Sequence, residues 1–97
     1  MEKNLSTTAP VQDTSQSLAA AYHSTFGNFD RIKAMKQRCG CWHCMAIFDS
    51  DDVTQFYPET DGQRTAICPC CGADEVLHAE SGYPITEEFL KQLHRFY

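Results

Sequence analysis

Cys39-Gly40-Cys41-Trp42-His43-Cys44 and, farther along, Cys68-Pro69-Cys70-Cys71-Gly72 are the stretches from which the fold of this chain is read. Each contains a Cys-x2-Cys pair, Cys41/Cys44 and Cys68/Cys71, and 23 residues separate the two pairs. Cysteines three positions apart in a tight turn can place both sulfurs about 2.3 Å from one ion, while N–H groups of the turn point at the sulfurs and offset their charge. Four thiolates so arranged close a tetrahedral Zn2+ site. Cys41, Cys44, Cys68 and Cys71 are therefore the candidate metal ligands, and one structural Zn2+ is the candidate cofactor. Pro69 helps set the turn entering the second knuckle, and Gly72 permits the positive φ that commonly follows its last ligand. The first knuckle has no glycine after Cys44 and is less stereotyped.

Cys39 and Cys70 are left over. A one-residue gap between Cys39 and Cys41 makes a poor chelate, and Cys70 occupies a position of its own knuckle from which side chains point away from the metal. Both are read as small packing side chains, with oxidation sensing as the alternative. His23, His43, His78 and His94 are further donors, but four cysteines already fill a tetrahedron. Other chemistries compete for the cysteines. Disulfides suit an even count of six, yet the polar Met1–Val11 stretch has no apolar export signal. A redox Cys-x-x-Cys of thioredoxin type needs a βαβ frame that the residues after Cys44 do not supply. An iron–sulfur cluster also takes four cysteines, and spacing alone does not separate it from zinc.

Ninety-seven residues make one domain, small enough for its core to benefit from a metal staple. The formal charge is −5, and four deprotonated thiolates with one Zn2+ would bring it to about −7. That acidity argues against generic nucleic-acid binding, which depends on neutralising phosphates. Charge is nevertheless divided. Arg31, Lys33, Lys36 and Arg38 precede the first knuckle, whereas Asp49, Asp51, Asp52, Glu59 and Asp61 lie between the knuckles. No apolar run is long enough to cross a bilayer, and the free thiols point to a soluble cytoplasmic protein.

In chain order, residues 1–14 read as a disordered leader and 15–38 as a helical N-terminal segment. In that segment, Ser15 or Ser17 would cap a helix to Thr25, Gly27-Asn28 would stop it, and Asn28 would cap a second helix over Phe29–Gln37. Residues 39–97 read as the zinc-ribbon domain. It would hold a short strand at Ala46–Phe48, one helical turn from the Asp49–Asp52 run through Phe56, and a hairpin of Thr54–Glu59 with Arg64–Cys68 turning at Asp61-Gly62. Asp74–His78 would add a third strand to the ribbon. The clearest helix is 87–97, capped by Thr86, with Glu87 and Glu88 in its first turn and Ile85 stapled onto Leu90. Its apolar face of Phe89, Leu90, Leu93, Phe96 and Tyr97 is expected to pack on the ribbon. The fold class is thus a small α+β, metal-stapled zinc ribbon flanked by helices.

The run Thr65-Ala66-Ile67-Cys68-Pro69-Cys70-Cys71-Gly72-Ala73-Asp74-Glu75-Val76-Leu77, followed by Ser81-Gly82-Tyr83-Pro84-Ile85-Thr86 and the Phe89-Leu90 helix, resembles a family of small uncharacterised bacterial cytoplasmic proteins. The resemblance covers about Cys39 to Tyr97 and departs at Glu75, where the family usually carries Ser. It implies a zinc-ribbon fold and a cytoplasmic location, and no activity.

The chain has no locally supported Ser-His-Asp arrangement and no phosphate-cradling glycine loop, and four cysteines would leave zinc without an open position. The expected function is therefore a non-catalytic zinc-binding module that presents its acidic hairpin and terminal helix to a protein partner, as a monomer or weak homodimer. Two alternatives differ in class. One is nucleic-acid binding through residues 31–38 with Trp42 and His43 as stacking groups; the other is thiol-based redox sensing through Cys39 or Cys70.

Overall fold

Period-two alternation organises the middle of the chain. The structure, a computed structural model, describes residues 15–97; the leader expected over 1–14, and any residue that caps the first helix from there, lie outside them. Strand β1 (Arg38–Cys41) is flanked by β2 (Ile47–Asp49) and β5 (Val76–His78) in an antiparallel three-stranded sheet of order β2-β1-β5. β3 (Phe56–Pro58) and β4 (Arg64–Ala66) form a separate antiparallel hairpin. The expected third strand therefore forms, but it joins β1 rather than the hairpin. The expected single ribbon sheet is corrected to two small sheets, because Cys39-Gly40-Cys41, where the sequence predicts no strand, is itself the central strand.

Successive side chains of β1 point to opposite faces. Cys39 and Cys41 enter one core with Ile32, Val53, Ala66, Cys68 and Val76. Gly40 lies on the other face, where a Cβ would come within 2.9 Å of Leu90 Cδ1 and 3.1 Å of Ile85 Cγ2. That face carries the second core, Leu18, Ala21, Trp42, Leu77, Ile85, Leu90 and Leu93. The first and last helices, α1 (Ser15–His23) and α3 (Glu87–Phe96), supply most of it. The N-terminal helices thus belong to the same two cores as the cysteine-bearing segment, and β1 runs across the boundary expected at residues 38/39.

Helix α1 ends two residues earlier than expected, and Ser17 sits inside it rather than at its cap. Gly27 follows with φ +65°. Helix α2 (Phe29–Lys33) has Asn28 at its N-cap position, but the Asn28 side chain does not cap. It is buried, and its amide donates to Val76 O (2.8 Å) while its oxygen accepts from Ala66 N–H (3.1 Å). Asn28 therefore ties β5 to β4, and so one sheet to the other. Asp49 precedes a 3-10 turn at Ser50–Asp52, and its N–H donates to Asp52 Oδ2 at 3.2 Å. The turn stops there instead of reaching Phe56, which is already in β3. Thr86 caps α3 as expected, accepting from Phe89 N–H, and Leu90 and Leu93 are buried. Phe96, expected on the packed face, is 61% exposed, whereas Tyr97 stacks on Tyr22.

Candidate metal centre

The two knuckles have the same local construction. In the first, Cys41 N–H donates to Ala46 O (2.9 Å), Met45 N–H to Cys41 O (2.7 Å) and His43 N–H to Cys41 Sγ (3.3 Å). In the second, Cys68 N–H donates to Ala73 O (2.8 Å), Gly72 N–H to Cys68 O (3.0 Å) and Cys70 N–H to Cys68 Sγ (3.3 Å). Position for position the pattern repeats, down to the residue after the second cysteine, where both Met45 (φ 64°) and Gly72 (φ 83°) are left-handed. Met45 thus adopts the conformation that glycine supplies in the second knuckle. β1 and β2 hold the first turn from either side; β4 leads into the second and β5 out of it.

The four sulfurs converge. Their Sγ atoms all lie within 4.8 Å of one another, with Cys41–Cys71 at 3.7 Å and Cys44–Cys68 at 3.8 Å. A tetrahedron of sulfurs about 2.3 Å from a central ion has edges of about 3.8 Å, so the spacing fits Zn2+ closely. It is far too long for disulfides, which need about 2.05 Å, and the cysteines are free. Cys41 and Cys68 are buried, whereas Cys44 and Cys71 reach the surface. The two buried ligands come from one core, and the four cysteines are positioned to bind a metal ion.

The electrostatics of the cluster favour a cation. Burial pushes the Cys41 and Cys71 thiols above the ordinary thiol value. Burial also opposes the Cys68 thiolate, but the N–H groups of Cys71 and Cys70, with the Cys41 and Cys44 thiols, outweigh it and hold its pKa below that value. Four adjacent thiolates are therefore not stable alone, and a divalent ion is what would let all four deprotonate.

The remaining cysteines separate. Cys39 is buried in the core with its Sγ 4.0 Å from Gln37 O, and burial pushes its thiol up to about 12. Cys70, expected to pack as a small side chain, is exposed instead. No histidine joins the four sulfurs among the described residues. His78 is buried and bonds through Nδ1 to Gln37 Oε1 at 3.2 Å. Trp42 is also buried, packed beside Tyr22 and Tyr97, so it is not available as a stacking surface. Three of the four residues of the basic run have partners: Arg31 with Glu80 (3.2 Å), Lys36 with Asp51 (2.7 Å), and Lys33 Nζ donating to Ser50 O (2.9 Å). Among the described residues, no helix is long and apolar enough to cross a membrane. No family model, curated protein or solved structure matches the chain.

Proposed function

We propose that this protein is a non-catalytic zinc-binding module in which Cys41, Cys44, Cys68 and Cys71 hold one structural Zn2+. The observation that carries this reading is the repeated knuckle geometry with sulfur–sulfur distances of 3.7 and 3.8 Å. Thiolate donors suit zinc, and four of them leave no open coordination position for substrate or water. The module works in the cytoplasm, where thiols stay reduced, and belongs with the small bacterial proteins its second knuckle resembles. Its partner is a protein that meets the acidic hairpin side, where Asp61 is exposed on the same hairpin as exposed Phe56 and Tyr57.

Pairing of Arg31 and Lys36 with carboxylates and burial of Trp42 count against nucleic-acid binding. Burial of Cys39 leaves Cys70 as the thiol on which redox sensing would have to rest. Native mass spectrometry of untagged protein, before and after chelation and with reactive thiols counted, tests the proposal. One zinc per chain, with the four ligand thiols protected until the metal is stripped, is the expected result. A metal-free mass with all six thiols reactive, or an iron–sulfur mass, would overturn it.

A further inference from the structure

Beside the first knuckle, three residues with metal-binding side chains, His43, Glu75 and His94, come together from separate segments. Glu75 Oε1 is buried and has no hydrogen-bond partner, although His43 Nδ1 lies 3.2 Å away in an unaligned contact. A buried carboxylate oxygen left in this state needs a cation or a donor. Adjacent ligands of one ion, at metal–donor distances of about 2.0–2.1 Å, are about 3.3 Å apart in a tetrahedron, which is the spacing of this pair. The third residue is His94 on α3. Its Nδ1 lies 3.2 Å from Trp42 O, so a proton there bonds the carbonyl and leaves Nε2 with its lone pair free. A backbone carbonyl on one nitrogen is the usual support of a metal-bound imidazole.

The two ring centroids are 6.2 Å apart and edge to face at 78°. Two imidazoles on one tetrahedral ion have ring centres about 5.2 Å apart, so these rings must close by about 1 Å to share it. The anchoring is also firm, because Trp42 N–H donates to Glu75 O at 3.0 Å and holds the knuckle against the start of β5. His43 is 58% exposed and free to rotate the remaining distance, which it must do, since only the four cysteines already bring their ligand atoms within 4.8 Å of one another.

The geometry points to a second metal site, in which His43, Glu75 and His94 take a divalent transition ion of the class imidazole prefers, Ni2+, Cu2+ or Zn2+. The ion would join the first knuckle, the start of β5 and α3, next to the cysteine site but sharing no ligand with it.

Untagged protein carrying its first zinc is titrated with Ni2+ by calorimetry, with zinc content measured in the same samples. One Ni2+ per chain is expected in addition to the zinc, weakened about tenfold or more in each of His43→Gln, Glu75→Gln and His94→Gln. Cys70→Ser should leave the binding unchanged. The site is overturned if Ni2+ is not taken up at millimolar concentration, if the three variants bind as wild type does, or if binding is lost in Cys70→Ser. Displacement of zinc by Ni2+ one for one would likewise assign the ion to the cysteines and overturn it. The proposed structural zinc stands or falls separately, on the zinc measured before nickel is added.

Discussion

Asn28 satisfies two buried backbone groups from strands that do not pair with each other, Val76 O and Ala66 N–H. Its amide orientation decides both bonds. In Asn28→Asp the oxygen toward Ala66 is kept, but the donor toward Val76 becomes a second oxygen facing a carbonyl. A loss of about 2–3 kcal/mol in urea denaturation is expected, and an unchanged midpoint would mean that the bridge does not operate. His78 sets a pH dependence. Burial, aided by Arg31 and opposed by Glu80, holds its pKa below the ordinary value. The unfolded chain therefore takes up the proton first as pH falls below about 6.5, and stability drops from there down to the folded pKa. The pH–stability curve of His78→Gln should be flatter than wild type just below about pH 6.5, and parallel curves would refute this. Of these residues the knuckle cysteines were legible in the sequence, because their geometry is local. Asn28 was not: beside Phe29 it reads as a cap, and its true partners are 38 and 48 residues away. Trp42 reads as surface for the same reason, since the helices that cover it come from opposite ends of the described chain.

At the scale of elements, α3 was legible down to its cap because Thr86, the acidic first turn and the Leu90/Leu93 spacing all act within the helix. The hairpin turn at Gly62 was legible too, though its strands are shorter than expected. Strand β1 was hidden. Arg-Cys-Gly-Cys has little strand propensity, and the segment is held extended by β2 on one edge and β5 on the other. Gly40 records the cost of that placement, since α3 lies directly over it. Gly40→Ala should destabilise by about 1–3 kcal/mol in thermal or urea unfolding, because Leu90 and Ile85 must move to admit the methyl. A stabilised variant would show that α3 does not sit on this face.

For the whole molecule, the cysteine site lies between two small sheets that are also joined by Asn28 and by the core that Cys39, Cys41 and Val76 share with Ala66. Binding free energy on the order of 10 kcal/mol for such a site exceeds the net stability of many small domains. Chelation should collapse the dispersion of amide NMR signals from β1 to β5, and one equivalent of Zn2+ should restore it; a spectrum unchanged by chelation would make the metal incidental. Loading must displace protons from thiols such as Cys41 and Cys71 whose pKa burial has raised. Apparent zinc affinity should therefore rise with pH through the neutral range and fall on acidification. The most direct measurement is X-ray absorption at the zinc edge of protein purified without a tag. Four sulfur neighbours at about 2.3 Å are expected. An absent zinc edge, or three sulfurs with a nitrogen or oxygen in the fourth position, would contradict a closed structural site, and the latter would reopen the case for catalysis.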